Sequence, residues 1–301
     1  MKGQVTKGTI GAMRIRDLLA CGAPSISFEF FPPKSDEAAR QLEQTIGDLA
    51  PLMPTFVSVT WGAGGSTREK TIDIVTRIRR ETGVEAAAHL TCVGATKEEI
   101  GGILDRLGEA GVENIVALRG DPPKGEKAFT ATEGGFRYAN ELIGYIRERH
   151  ARHFSLGGAA YPEKHVECAN PAMDLDNLKR KTDAGLDFLI TQLFFDNQYY
   201  WDFVARARAA GITIPIIPGL MPIANATQVL RFGATLPARL AAELNRRGDN
   251  PEAVAQLGVA HAAGQAMELL THGAPGIHFY TLNRGTATKS IFSALRIMGL
   301  V

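Results

Sequence analysis

Cysteine is scarce in this chain: three residues in 301, Cys21, Cys92 and Cys168, lie far apart. They form no CxxC pair and no disulfide framework, which suits a reducing compartment. Net charge is almost absent too. Lys and Arg number 33 against 32 Asp and Glu, a formal +1. No global field therefore draws the chain toward nucleic acid or an anionic membrane, although a local basic patch stays open. No uninterrupted apolar run approaches the roughly 18 residues of a membrane helix. Met1 to Arg16 lack the apolar core of a signal peptide. Linkers rich in Pro or Ser and breaks in composition are missing. These absences predict a soluble cytoplasmic protein with no nucleic-acid or membrane partner, built as one large domain.

What is present in excess is glycine, 32 residues, where about 7% of a chain is usual. It is too dispersed for a flexible linker and implies many turns. Short β-rich runs alternate with helix-like stretches throughout: Ser25–Phe30, Thr55–Thr60, Glu85–Leu90, Asn114–Arg119, Ser155–Tyr161, Asp187–Phe195, Pro215–Leu220 and Gly276–Leu282. Between them apolar residues recur three and four apart, as in Ile72, Val75 and Ile78 or Ile100, Ile103, Leu104 and Leu107. Ser66-Thr67-Arg68-Glu69 and Thr96-Lys97-Glu98-Glu99 have the form of a capping box, and Gly83, Gly111, Gly185 and Gly211 fall where helices should stop. Eight strands with intervening helices predict a closed (β/α)8 TIM barrel over residues 25–301, behind a lead-in at 1–24. An open doubly wound sheet is the rival, but its first connection usually carries a glycine fingerprint. Here that connection reads Phe30-Phe31-Pro32-Pro33.

In such a barrel the catalytic groups project from the C-terminal strand ends. Those ends carry Glu29, Thr60, His89, Arg119 with Asp121, Tyr161, Gln192, and Tyr280 with Arg284. Glu29 is the sharpest of them. The pleat sends it to one face and Phe28 and Phe30 to the other, so it should point into the barrel mouth. A carboxyl in a partly apolar cavity has a raised pKa and can donate a proton near neutral pH. The bland alternative is a rim glutamate paired with an arginine. Gly62-Ala63-Gly64-Gly65-Ser66 looks like a phosphate cradle but meets neither nucleotide fingerprint. His150 and His153 lack a third metal ligand nearby, and no metal site is expected. Lys179, Arg180 and Lys181 point about 100° apart on a helix, so at most two could face one ligand.

The ordered set Phe28-Glu29-Phe30-Phe31-Pro32-Pro33, Val59-Thr60-Trp61-Gly62-Ala63, His89-Leu90-Thr91-Cys92 and Ala117-Leu118-Arg119-Gly120-Asp121 resembles the methylenetetrahydrofolate reductase family. Ala160-Tyr161-Pro162-Glu163, Asn177-Leu178-Lys179-Arg180-Lys181, Ile190-Thr191-Gln192 and Phe279-Tyr280-Thr281-Leu282-Asn283-Arg284 extend the likeness to the C-terminus. The resemblance implies a (β/α)8 barrel carrying FAD, reduced by NADH or NADPH. The nicotinamide then leaves, and the reduced flavin passes hydride to 5,10-methylenetetrahydrofolate in a ping-pong relay.

By the same resemblance Glu29 is the general acid, and Asp121 supports the reaction beside flavin and pterin. Substrate contacts map onto Asp121, Gln192, Gln228, Phe232, Tyr280 and Arg284. FAD contacts map onto Thr60, Trp61, Ala63, His89, Arg119, Gly120, Asp121, Tyr138, Ala139, Tyr161, His165, Asp174, Asn177, Arg180 and Lys181. Arg180 and Lys181 then read as diphosphate partners. Trp61 stands where the family often has tyrosine, a stacking change that bears on the local flavin hydrogen bonds. The segment 147–156 is longer than in some relatives. The chain ends at Val301, without the regulatory extension of eukaryotic relatives, so S-adenosylmethionine feedback through it is not expected. Relatives commonly self-associate, which implies a homo-oligomer. The rival readings are a folate-binding barrel methyltransferase without flavin and a non-catalytic flavin or folate carrier.

Overall fold

The computed structural model describes residues 13–62, 68–122, 125–126, 129–225, 234–248 and 250–301. After a short helix α1 (Ile15–Leu19), strands and helices alternate: β1 (Ser25–Phe30), α2 (Asp36–Leu49), β2 (Phe56–Val59), α3 (Arg68–Thr82), β3 (Glu85–Thr91), α4 (Lys97–Glu109), β4 (Asn114–Leu118), α5 (Ala139–His150), β5 (Ser155–Ala160), α6 (Pro171–Asp183), β6 (Phe188–Thr191) and α7 (Asn197–Ala209). Then come β7 (Ile216–Ile217), β8 (Gly219–Leu220), α8 (Ala238–Arg247), α9 (Pro251–Thr271), β9 (Gly276–Tyr280) and α10 (Gly285–Ile297).

Every strand pairing is parallel, in the order β7-β6-β5-β4-β3-β2-β1-β9-β8. β7 and β8 are two halves of one pass interrupted at Pro218, whose carbonyl accepts from His278 N at 2.9 Å. One half pairs with β6 and the other with β9, so the ring closes as an eight-position (β/α)8 barrel.

Local chemistry explains the helices. Ser35 Oγ caps α2 by accepting from Ala38 N at 3.2 Å. Thr96 and Glu99 form the reciprocal capping box of α4, at 3.2 and 2.8 Å. Asn170-Pro171 and Asn250-Pro251 open α6 and α9 with a capping amide and a proline whose missing N–H costs nothing there. Gly83, Gly111, Gly185 and Gly211 all take positive φ at the predicted helix stops. The other predicted box, at Ser66, lies outside the described residues.

The pleat divides each strand between two layers. Phe28, Phe30, Val57, Val59, Leu90 and Ile115 face outward into a continuous apolar layer with Leu42, Val75, Ile78, Ile103, Leu104 and Leu107 from the helices. Burying such a side chain contributes about 1.5–3 kcal/mol each. Phe56, Ala87, Val116, Phe188, Ile190 and Ile217 face inward and fill the bore. The run SLGGAA is weakly apolar because it makes room: a Cβ on Gly157 would lie 2.5 Å from the Phe188 ring, and one on Gly158 2.6 Å from Leu186.

The lead-in segment joins this core. Ile15, fully buried, plugs the lower end of the bore beside Phe56 and Val116. Its N–H donates to Asn114 Oδ1 at 2.8 Å, and Arg16 N donates to Ser155 Oγ at 3.0 Å. The segment 147–156 is held close by at its own arginines. Asp187, its carboxylate 4% exposed, binds Arg147 at 2.7 Å and Arg152 at 2.8 Å, with Arg16 at 3.6 Å.

Candidate active site

At the C-terminal end of the bore, the register sets Ser27 beside His278 and Glu29 beside Tyr280. His89 enters from β3. Glu29 is 6% exposed, and its Oε2 lies 3.5 Å from His89 Nε2 and 3.6 Å from His278 Nε2. The expectation that Glu29 turns inward while Phe28 and Phe30 turn outward is met. Its wall, however, is two imidazoles rather than apolar surface, and no arginine is paired with it among the described residues. His278 is anchored through Nδ1 to Ser27 Oγ at 2.8 Å and stacks on Phe56. The Nε2 atoms of His89 and His278, Ser58 Oγ and Thr91 Oγ1 are buried without a hydrogen-bond partner. All four lie on bore-facing positions. Burial holds His89 below the usual histidine pKa, against the opposing pull of Glu29. The Tyr280 hydroxyl donates a hydrogen bond to Thr191 O at 2.7 Å, and burial, then Glu29, keeps the phenol protonated well above its ordinary range.

A second group of side chains adjoins this one on the β4–β5 side of the mouth. Tyr161 and His165 pack edge to face with centroids 4.6 Å apart. Asp174, in the first turn of α6, accepts from His165 N at 3.0 Å. Lys181, two turns further along the same helix face, donates to Ala159 O at 2.6 Å and lies 6.0 Å over the Tyr161 ring. Burial lowers Lys181 to about 8, opposed by Asp174. Burial, then Asp121 and Asp174, pushes Tyr161 up to about 12, and burial, then Arg119, lowers His165. Gly120 sits at φ +89°, where a Cβ would lie 3.0 Å from Thr91 and Val93. The close turn there therefore requires glycine.

Arg119, Gly120, Asp121, Tyr161, His165, Asp174 and Lys181 thus form one connected patch. Asn177 is exposed on the α6 face that carries Asp174 and Lys181, and Arg180 is exposed beside it. Lys179 instead ion-pairs with Asp183 one turn on, so the run of three cations divides as helical geometry requires. Thr60 follows β2, half-buried, its N–H bonded to Phe30 O at 2.9 Å. Gln192 and Arg284 are exposed at strand ends, the Gln192 Oε1 accepting from Leu193 N at 2.9 Å. Asp121 is exposed directly after Gly120.

Of three more assigned residues, two are buried and one is exposed. The Trp61 indole, 7% exposed, belongs to the outer apolar layer. Ala139 is likewise packed in that layer, so it can offer a ligand only its backbone. Tyr138 is 53% exposed at the N-cap of α5, under the Arg137 guanidinium at 5.9 Å. Ala63, Gln228 and Phe232 lie outside the described residues. His150 faces Asp105 at 3.6 Å, and both His150 and His153 pack on Phe154. Among the described residues no group of three His, Cys, Asp or Glu is placed to hold a metal ion. Ser27, His278 and Glu167 escaped the sequence reading. The first two share the bore-facing parity of Glu29 and Tyr280 and were there to be found.

The patch fits a flavin dinucleotide by its donor set. Cations at Arg119, Arg180 and Lys181 suit a diphosphate, the Asn177 amide and Asp174 carboxylate suit a ribose, and orphaned His89 faces the bore where a ring system would end. The methylenetetrahydrofolate reductase family model matches residues 14–296. The chain belongs to that family. The Escherichia coli 5,10-methylenetetrahydrofolate reductase is 39% identical over 280 residues, covering 92% of both chains. An Arabidopsis thaliana methylenetetrahydrofolate reductase (NADH) is 38% identical over 96% of this chain. This chain spans about half the length of the plant relatives it matches, 50% for that protein. Among solved structures, a Clostridium thermocellum protein that binds two copies of 5-methyl-5,6,7,8-tetrahydrofolic acid superposes with a TM-score of 0.64 at 14% identity. It covers 95% of this chain and all of its own, a likeness of fold. Among the described residues no helix of this reductase-family barrel is long and apolar enough to cross a membrane.

Proposed function

We propose that this barrel reduces 5,10-methylenetetrahydrofolate to 5-methyltetrahydrofolate, using FAD as bound carrier and NADH or NADPH as donor, in two half-reactions that share the mouth in turn. The observation that carries the reading is the buried Glu29 carboxyl group, within 3.6 Å of two imidazole nitrogens that lack hydrogen bonds, beside a patch of cations and aromatics suited to a dinucleotide. FAD, when bound, supplies the hydride that the donor delivers and the folate receives.

The protein's own part is binding and proton placement. The methylene bridge of the folate must open at its bond to N10, leaving an iminium at N5, and the departing N10 electron pair takes a proton. Glu29 is the group that delivers this proton, a role that typically contributes about 10²–10⁴ in rate. His278, fixed by Ser27, and His89 hold the Glu29 carboxyl group in place and limit its exposure to water. Asp121 accepts hydrogen bonds from the pterin amino and ring N–H groups and stabilises positive charge on the opened ring. The Gln192 amide keeps both N–H donors available after its oxygen is used on Leu193. The Tyr280 phenol, kept protonated, offers its oxygen lone pairs, and Arg284 offers a cation to the glutamate tail. Gln228 and Phe232 complete the expected substrate contacts.

The test is a visible spectrum of the purified protein with added FAD, followed by anaerobic NADH and then methylenetetrahydrofolate. A flavin band that bleaches with NADH and returns with the folate is expected. A protein that binds folate but no FAD would favour the methyltransferase-like reading and sink this one. Bleaching without reoxidation would assign the flavin to another substrate.

A further inference from the structure

Glu167 lies in the connection between β5 and α6, and no role attaches to it in the reaction above. Its two carboxylate oxygens engage both terminal nitrogens of Arg119, at 2.6 and 2.8 Å. This fork-on-fork geometry fixes orientation as well as distance. Arg119 is held on two further sides: Nε donates to Gly120 O at 3.3 Å, and the guanidinium lies 5.1 Å from the centre of the Phe129 ring. Glu167 is itself built into a tight turn. Its N–H donates to His165 Nδ1 at 3.1 Å, and Cys168 N donates to His165 O at 2.9 Å. Lys164, strained at φ +119°, clasps the carbonyls of His165 and Cys168 at 3.1 and 2.6 Å. Asp174 pins the whole turn to α6 through His165 N.

The turn thus ends in one carboxylate aimed at one guanidinium, and the pair joins two loops: residues 119–121 after β4 and residues 161–168 after β5. These loops carry Arg119, Gly120, Asp121, Tyr161 and His165 of the candidate cofactor patch. With Nε on Gly120 and one N–H of each terminal nitrogen on Glu167, Arg119 keeps a second N–H on each terminal nitrogen for a ligand. The carboxylate therefore orients the arginine without exhausting it. The pair is also partly exposed, with side chains 22% and 48% accessible, so it adds little to global stability. Its geometry acts locally.

We propose that Glu167 is a positioning residue, a clasp between the β4 and β5 loops that pre-shapes the flavin-binding patch through Arg119. The inference rests on the FAD reading above. It predicts that Glu167→Gln weakens FAD binding by about tenfold, mainly through faster dissociation, because the pocket must then be ordered on binding.

The experiment titrates the full-length apoprotein with FAD, following flavin fluorescence, for the parent, Glu167→Gln, Arg119→Gln and the double variant. Amide hydrogen exchange is measured on the flavin-free proteins. Expected are the tenfold loss in Glu167→Gln, faster exchange in both loops, and a melting temperature within about 3 °C of the parent. In the Arg119→Gln background the second substitution should change affinity by less than about twofold, since the clasp is already open. A purely structural Glu167 would act in both backgrounds alike, and that result overturns the proposal. Tighter FAD binding in Glu167→Gln also overturns it, because the carboxylate would then be competing for the arginine. Unchanged affinity and exchange overturn it while leaving the flavin reading intact. Failure of the parent to bind FAD refutes the flavin reading and the pocket-shaping role together.

Discussion

The two ends of the bore are built from similar residues and treated differently. At the lower end Glu85, Asn114 and Ser155 point inward, and the chain satisfies them itself. Met13 N and the Asn114 amide donate to Glu85, Ile15 N donates to Asn114, and Arg16 N donates to Ser155. At the upper end Ser58, His89, Thr91 and His278 occupy the same faces of β2, β3 and β9, yet each keeps a buried atom without a hydrogen bond. Leaving such a group unsatisfied costs about 1–3 kcal/mol, so the chain tolerates at one end what it avoids at the other. Polar groups at the lower end of the bore are tied into the chain; those at the upper end are the ones the proposed ligands would meet. Even the counter-ions follow the rule. Asp187 below is surrounded by three arginines, whereas Glu29 above meets two imidazoles.

The contrast can be broken most sharply at Glu29. Glu29→Gln should lower folate reduction by about 10²–10⁴ while NADH still bleaches the flavin, measured as separate anaerobic half-reactions. Equal loss in both would make Glu29 a structural group like those below. At the other end, Ile15→Ala should cost about 2–5 kcal/mol in denaturant unfolding through the cavity it leaves, with both half-reactions unchanged at a temperature where the variant is folded. A selective loss of folate reduction would show the two ends to be coupled.

A smaller effect concerns pH. Burial lowers Lys181 to about 8, so the folded, unliganded protein releases that proton as pH rises through 8. An anionic ligand prefers the protonated amine, and binding above pH 8 must take a proton up. The FAD dissociation constant should therefore rise by up to about tenfold per pH unit above 8, and Lys181→Arg should flatten the profile. Smallest is Thr96→Ala, which removes the cap of α4 and should cost about 1 kcal/mol of stability without touching either half-reaction.

Much of this was readable beforehand. The strand Ser25–Phe30 matched residue for residue, because its alternation of Phe with Ser and Glu states both its period and its two environments. The capping box at Thr96 and the stop glycines are local devices, visible in four or five residues. The candidate cofactor patch was legible only through family likeness, since nothing local links Arg119 to Lys181. The layer that Trp61 occupies is not legible in its residue type, because an aromatic at a strand end suits either layer and only the packing around it decides between them. Ile15 was passed over because a five-residue helix has too few turns to show a periodic face. Glu167 was invisible: its partner is 48 residues away, and a lone glutamate in a loop looks like any solvated charge.

The sequence by itself determined the alternation of elements, the inward turn of Glu29 and the family. Each rests on periods of 2 and 3.6 residues or on ordered motifs, which are properties of neighbouring residues along the chain. Tertiary structure alone decided what Glu29 faces. Ring closure brings β9 against β1, and so puts His278 and Tyr280 beside a glutamate some 250 positions earlier. It also decided which polar groups the chain ties off and which it leaves open, because hydrogen-bond satisfaction is settled by distance in space, and sequence separation carries no record of it.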